Sequence, residues 1–342
     1  MNNNIVSEFE KLVAFVQKEI DTSTDTKTKT ANIFRLKQIK NALSTIKKYP
    51  KKLEDKTLED FSELPGIGKG TMDRIKEILS DGKLSELKDF KQEDKKEEKA
   101  IEDLESIVGV GRASALEFIK QGIHSVKELK EAIAKGKIEV NEKVALGIKY
   151  YGVFEGNIPR DEITKVQKII SKIVDKLNKE YKLDDTNKYI FEICGSYRRE
   201  KTVSGDIDIL FSKLSGNNDI NHLELLISKL KGKLKSNDMK PLLIDDMTEN
   251  STTKYMGFAK YKDHKVRRID IRYIPYESYF SALLYFTGSA DLNKKMRSVA
   301  KKMKLKLSEY GLTKEDGTIL PVNSEYDVFK ILKMEYLPPR LR

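Results

Sequence analysis

The sequence predicts an α+β chain of several domains, helical through its first half and mixed in its second. Three observations carry this. Up to about residue 180, apolar residues recur at spacings of three and four, as on the buried stripe of a helix. From residue 188 the pattern shortens to strand-length apolar runs with one helical interruption. A glycine motif occurs twice in the helical half, each copy running straight into a helix.

The elements follow in order. "IVSEFEKLVAFVQKEI" and "ANIFRLKQIKNALSTIKKY" are amphipathic helices, and Pro50 ends the second. "KDFKQEDKKEEKA", residues 88–100, mixes both charge signs with little apolar content and reads as a linker or a solvated helix. A second helical block runs from about 101 to 152, and "NIPRDEITKVQKIISKIVDKLNKEY" gives a long helix starting after Pro159. The strands are "YIFEICGS", "DIDILF", "PLLIDD", "YMGFAKY" and "VRRIDIRYIP", interrupted by the helix "HLELLISKLKGKL".

Composition bounds the function. The 342 residues suffice for two or three domains, and 65 Lys+Arg against 54 Asp+Glu give a net charge of +11. That sign favours a polyanionic partner, with nucleic acid ahead of a membrane surface. No apolar run approaches the roughly 18 residues of a spanning helix, and the N-terminus lacks the basic start and apolar block of a secretory signal. The single cysteine, Cys194, excludes an internal disulfide framework, fits a reducing compartment and reads as a small buried hydrophobe. Three scattered histidines have no zinc-like spacing, so any metal is held by carboxylates.

"LPGIGKGTMDRIKEIL" (64–79) and "IVGVGRASALEFIKQG" (107–122) share an apolar–x–Gly–apolar–Gly turn before a helix. Gly66 and Gly68, and in the second copy Gly109 and Gly111, permit positive φ and close backbone approach. Amides of such a turn and of the helix start suit a phosphate. The repeat therefore reads as two helix–hairpin–helix modules that grip the DNA backbone without reading its sequence; plain structural turns are the bland alternative.

In "SGDIDILF", Asp206 and Asp208 fall on one strand face, about 6–7 Å apart, with Ile207 and Ile209 on the other. A solvated hairpin edge satisfies the pattern; so does a divalent-metal site. "VRRIDIRYIP" alternates too, placing Arg268, Asp270 and Arg272 on one face and Ile269, Ile271 and Tyr273 on the other. Set beside the first strand, Asp270 completes a three-carboxylate cradle for two divalent ions of the kind that drive in-line phosphoryl displacement. Oxygen ligands suit Mg²⁺, and the neighbouring Ser196 and Arg199 fit a triphosphate.

"GSYRRE…SGDIDIL" resembles the nucleotidyltransferase signature, and the chain around it resembles a family X DNA polymerase of the beta type. The resemblance runs from "IKKYPKKL" through both glycine turns, "YYGVFEGNIPRDE", "RRIDIR", "LLYFTGSADLNKKMR" and "LPVNSEYDVF" to the C-terminus. It implies a lyase-like helical domain over 1–92 with the first hairpin and a helical DNA-binding subdomain over 93–155 with the second. A nucleotidyltransferase-type palm over 156–275 and a small α+β nucleotide-selection subdomain over 276–342 complete it. Asp206, Asp208 and Asp270 are implied as catalytic ligands of two Mg²⁺, with Mn²⁺ a substitute. The resemblance further implies that Asp270 binds the catalytic metal and lies nearest the primer 3′ hydroxyl. Ser196, Arg199 and Gly205 are implied to hold the triphosphate. Tyr285, Phe286 and Gly288 bound the sugar, with Asn293 and Arg297 at the nascent base pair; ordinary aromatic packing is the alternative for the two rings. Backbone carbonyls of Ser62, Leu64 and Ile67, and of Glu105, Ile107 and Val110, are implied to coordinate K⁺ or Na⁺.

The expected substrates are gapped or nicked double-stranded DNA and deoxynucleoside triphosphates, for a monomer that touches no membrane. The expected activity is template-directed gap filling in base-excision-type repair. The sequence shows no BRCT-like pattern, so the expectation is the minimal gap-filling version rather than the end-joining members. Template-independent RNA tailing is disfavoured by the glycine turns and "YFTGS", and a non-catalytic DNA-binding scaffold by all three aspartates being in place. The location expected is intracellular: nuclear in a eukaryote, host cell or virion for a large DNA virus, with Lys-, Ile- and Asn-rich usage fitting an AT-rich genome.

Departures from the family pattern matter as much. Asn157 stands where an arginine usually reaches the triphosphate, and Ala290 where an aspartate meets the incoming base. Beta-type relatives excise a 5′ deoxyribose phosphate through a lysine Schiff base, but Arg74 occupies that position here, and arginine cannot lose its proton to attack an aldehyde. Phe34, Arg35, Ile39 and Glu86 also differ. The expectation is weak or absent lyase activity, with Arg35, Lys69 and Arg74 as a 5′-phosphate pocket and Lys69, Lys76 and Lys40 as substitute nucleophiles.

Overall fold

The computed structural model describes residues 2–54, 57–64, 66–88, 92–153, 157–215, 220–232, 241–248 and 251–342. Pro65 of the first glycine turn, 89–91 of the charged stretch, 154–156 of "YYGVFEGN" and 233–234 of "HLELLISKLKGKL" lie outside the described residues. Two units emerge, residues 1–139 and 140–342.

The first unit is helical. α1 (Asn3–Thr22) and α2 (Thr26–Lys48) pack along each other, and the Asp25 carboxylate caps α2 by accepting from Thr28 N at 2.7 Å. α3 (Leu58–Ser62) and α4 (Lys69–Asp81) close around them on a core that includes Phe9, Leu12, Ile46, Leu53, Phe61, Ile75 and Ile78. Each of these side chains contributes about 1.5–3 kcal/mol by leaving water. The charged stretch resolves in favour of a helix: α5 (Gln92–Glu105) begins inside it and runs into the second glycine turn, followed by α6 (Arg112–Lys120) and α7 (Val126–Ala134).

The two turns have the same backbone. Gly66 and Gly109 are left-handed at φ +86 and +99, where a side chain would be strained, and Gly68 and Gly111 are extended N-caps. In each, the residue between the glycines donates its amide to the carbonyl three positions back: Ile67 to Leu64 at 3.1 Å, Val110 to Ile107 at 3.0 Å.

The second unit opens with α8 (Glu142–Tyr150), which ends with Tyr150 against Phe258 and with Lys149 and the Tyr150 hydroxyl on the Asp245 carboxylate. This packing places α8 with the sheet rather than with the helices before it. β1 (Ile158–Pro159) leads into α9 (Arg160–Glu180), then β2 (Tyr189–Ile193), α10 (Gly195–Arg198), β3 (Val203–Ser204) and β4 (Ile207–Lys213). α11 (His222–Leu230), β5 (Leu243–Asp246), β6 (Lys254–Lys260) and β7 (Val266–Tyr273) follow. Five strands form one sheet in the order β2–β4–β7–β6–β5, with β4 and β7 parallel and every other neighbour antiparallel.

Ile207, Ile209, Phe211, Ile269 and Ile271 point to one face and pack with Ile170, Val174, Leu177, Leu226 and Leu230 of α9 and α11. Leu210, on the opposite face, packs beneath α12 (Tyr279–Thr287) with Cys194, Tyr279 and Leu283. Cys194 is 1% exposed, as its apolar context predicts. α13 (Ala290–Lys302), β8 (Leu305–Ser308), β9 (Gly311–Lys314), β10 (Ile319–Leu320) and α14 (Glu325–Ile331) build a smaller layer around Met296, Leu312, Val328 and Phe329. No helix among the described residues is long and apolar enough to cross a membrane.

Candidate active site

The parallel β4–β7 pair sets Asp208 opposite Asp270 in register. Asp206 sits one residue before β4, and carboxylate oxygens of the three aspartates lie within 4.8 Å of one another. The underside of both strands is fixed by buried isoleucines, so the carboxylates stand on a rigid platform. Burial, then Asp206 and Asp270, push the Asp208 carboxyl up to about 7. Burial likewise raises Asp270, against the pull of Arg268. Asp270 Oδ1 is buried without a hydrogen-bond partner among the described residues, and an orphaned carboxylate oxygen beside two more carboxylates fits a hard cation.

Two residues beyond the expected set shape this cluster. Gly195, at φ +56, lies so close to Asp208 that any Cβ there would overlap the carboxylate; the Gly in "CGSYRR" is the sequence signal for it. Arg268 Nη2 contacts Asp270 Oδ2 at 3.0 Å and Asp206 Oδ2 at 3.7 Å, whereas Arg272, on the same strand face, has its guanidinium 5.7 Å from the Phe286 ring. Their neighbour Arg267 lies on the core face, where Glu162 accepts from it at 2.7 and 2.9 Å.

Ser196 lies on α10 and Arg199 just after it, with the Arg199 charge felt by Asp208, and Gly205 immediately precedes Asp206. Arg199 Nη1 donates to the Thr287 carbonyl at 2.5 Å, beside Gly288, while its buried Nε has no partner among the described residues. Tyr285 and Phe286 meet edge to face, Asn293 Nδ2 donates to the Tyr285 carbonyl at 2.7 Å, and the Arg297 guanidinium lies 5.8 Å from the Tyr285 ring. The structure thus gathers the "YFTGSADLNKKMR" residues around the end of α12 and ties that end to Arg199.

A model for the DNA polymerase beta palm matches residues 157–276, and one for the DNA polymerase beta thumb matches 282–342. A helix–hairpin–helix domain model matches 2–84, and a model for the fingers domain of DNA polymerase lambda matches 102–155. This chain belongs to the family X DNA polymerases. Among family X relatives, DNA polymerase lambda of Rattus norvegicus is 27% identical over 318 residues, 88% of this chain and 51% of that protein. DNA polymerase lambda of Arabidopsis thaliana is 28% identical over 319 residues, 88% of this chain and 56% of that protein. DNA nucleotidylexotransferase of Gallus gallus is 26% identical over 307 residues, covering 82% and 58%. The chain thus spans little more than half the length of these relatives. Family X membership implies a divalent metal, and the aspartate cluster fits one.

The family's 5′-end pocket looks different here. Arg35 and Arg74 do converge, but on Glu86: Arg35 donates to it at 2.6 Å, and Arg74 donates through Nε and, at 3.2 Å, through Nη2. Arg35 also reaches Glu19 at 3.0 Å. Burial raises the Glu86 carboxyl, yet the two guanidiniums outweigh it and hold the group below the usual range. Lys69, the third residue expected in the pocket, starts α4 as an exposed side chain, and Lys40 and Lys76 are exposed too.

Proposed function

We propose that this chain is a template-directed DNA polymerase that fills short gaps in DNA repair. The observation that carries the reading is the in-register Asp208–Asp270 pair with Asp206 beside it, all within 4.8 Å. The three carboxylates would hold two Mg²⁺ ions, or Mn²⁺, whose chemistry there would be activation of the primer 3′ hydroxyl and stabilisation of the departing phosphate oxygen.

The chain's own residues do the positioning. Asp206, Asp208 and Asp270 would hold the ions, with Asp270 on the side of the primer end. Ser196, Gly205 and Arg199 receive the triphosphate, and the Arg199 guanidinium, whose buried Nε has no partner among the described residues, supplies a charge-assisted donor. Tyr285, Phe286 and Gly288 shape the sugar site, with Asn293 and Arg297 at the nascent base pair. Asn157 and Ala290 lack two contacts usual in the family, so nucleotide affinity is altered while the metal cradle is untouched. The turns at Gly66, Gly68, Gly109 and Gly111 bind DNA phosphates, and the carbonyls of Ser62, Leu64 and Ile67 and of Glu105, Ile107 and Val110 would hold K⁺ or Na⁺. The substrates are gapped or nicked duplex and deoxynucleoside triphosphates, the acting form is a monomer, and the site of action is intracellular, nuclear in a eukaryote. Lyase activity is weak or absent, because Arg74 is no nucleophile and Glu86 holds it in place.

Primer extension on a one-nucleotide gap, with and without Mg²⁺, is the test. Metal-dependent addition opposite the template base is expected. Asp270→Ala is expected to abolish addition while DNA binding persists, and near-normal extension by that variant would overturn the assignment.

A further inference from the structure

The two glycine turns differ in what becomes of the first cation after them. Lys69 and Arg112 occupy the same place in the repeat, each the first residue of a helix behind a glycine N-cap. Lys69 is exposed to solvent. Arg112 is enclosed: Nε and Nη2 donate to Asp21 at 2.8–3.2 Å, and Nη1 and Nη2 donate to Glu98 at 2.9 and 2.6 Å. Asp21 is in the last turn of α1, 91 positions earlier in the chain, and Glu98 is on α5. The three side chains are 21%, 19% and 12% exposed, and Glu105 adds a third carboxylate at 3.9 Å from Arg112. With its guanidinium taken up by carboxylates, Arg112 is not free to receive a phosphate as its exposed counterpart Lys69 is, so phosphate contact at the second turn falls to the backbone amides.

We propose that Arg112 is a clasp: it fixes the N-terminal helices to the second glycine turn, so that both turns meet DNA as one rigid body. A planar guanidinium with two bidentate partners fixes orientation as well as distance, which lysine does not. α1 also packs along α5, so the ion pairs sit at the edge of an existing contact. Two binding elements joined loosely gain from each other only through effective concentration. Held rigidly, the second element engages without further loss of orientational freedom. Arg112 is then a positioning residue for DNA affinity, although it contacts no DNA. The inference rests on the DNA-backbone reading of the turns.

The test uses the full chain with Asp21→Asn and Arg112→Gln, binding a duplex series trimmed from about 20 base pairs, two helical turns. The clasp predicts that both variants lose about tenfold on the longest duplex and little on duplexes too short to reach both turns. A change that merely loosens folding lowers both, and Lys69→Ala, removing a phosphate contact, also lowers both and cuts the salt slope by about one. Asp21→Asn is decisive because it deletes a negative charge: if Arg112 is a phosphate contact instead, this variant binds as well or better, and the clasp is overturned. If the unsubstituted chain binds no duplex at all, the reading of the turns fails, and hydrogen exchange decides the clasp separately. Faster exchange along α1 and α5 in Asp21→Asn upholds it; unchanged exchange overturns it.

Discussion

Arg268 reaches both Asp270, at 3.0 Å, and Asp206, at 3.7 Å, so the cation among the three carboxylates comes from the chain itself. A metal entering the cluster competes with this guanidinium. Arg268→Gln is therefore expected to tighten Mn²⁺ binding to the DNA-free protein by about 1 kcal/mol, roughly fivefold, the scale of a partly screened charge pair. It also lowers the thermal midpoint in chelator, since the three carboxylates then repel one another with only the more distant Arg199 and Arg272 to offset them. Isothermal titration and melting with and without Mn²⁺ read both effects. Weaker metal binding in the variant would show that Arg268 supports the site rather than competing for it.

The raised Asp208 carboxyl makes a pH signature. In the folded, metal-free protein it titrates at about 7, whereas in the unfolded chain it loses its proton near pH 3.9. Between those values the folded state binds more protons than the unfolded one, so this group's contribution to stability falls as pH rises and is least favourable above about 7. In EDTA, the stability difference between Asp208→Asn and the unsubstituted chain should favour the variant at about pH 8 and shrink towards about pH 5. Bound metal reverses the trend, because protons and metal compete for the same oxygens. Melting curves across pH, with and without Mg²⁺, measure it; a difference flat in pH would contradict the buried, carboxylate-crowded setting of Asp208.

Much of this site is legible in the sequence because strand periodicity is strict. "DIDIL" and "RRIDIR" fix which side chains share a face, and the isoleucines beneath declare the core. That β4 and β7 lie side by side and parallel is not in the local pattern, since the strands are separated by two others and α11; there the resemblance carried the expectation. Alternation also cannot choose between Arg268 and Arg272, which share a face yet meet different partners. The charged pairs that organise the first unit were least legible. Arg35 meets Glu86 across 51 positions and Arg112 meets Asp21 across 91, separations over which no periodicity reports.

Glu325 ties the smaller layer to the palm. It accepts from Arg198 at 2.8 and 2.9 Å and from Arg342 at 2.6 Å, and Arg198 also donates to Thr287 at 2.7 Å. The Arg342 side chain is fully enclosed and Glu325 is 8% exposed, so removing the carboxylate takes the charge partner from one buried cation, Arg342, and from the half-buried Arg198, which keeps Thr287. Glu325→Ala is expected to destabilise the chain by about 3–5 kcal/mol, whereas Arg198→Ala alone costs less, because Glu325 keeps Arg342. Urea unfolding of both variants measures this. Equal, small losses would mean that water already reaches the network.

Glu86 makes the sharpest prediction about the 5′ end of a gap. Arg35 and Arg74 have the right charge for a 5′ phosphate, but both donate to Glu86, and Glu19 takes a further bond from Arg35. A phosphate must displace a carboxylate already held by two guanidiniums, one that burial alone would have made easier to protonate. The unsubstituted chain should bind gapped DNA with a 5′ phosphate and with a 5′ hydroxyl almost equally. Glu86→Gln keeps the shape and removes the competing charge, so it should gain several-fold for the phosphorylated gap, about 1 kcal/mol. The gain should vanish in Glu86→Gln combined with Arg35→Gln and Arg74→Gln. Neither form should be trapped efficiently by borohydride on an incised abasic site, because freeing Arg74 still supplies no amine that can lose its proton. Competition binding with the two gap ends, followed by trapping, separates the two claims. A strong preference of the unsubstituted chain for the 5′ phosphate would overturn the first, and efficient covalent capture the second, with the adduct's position naming the lysine responsible.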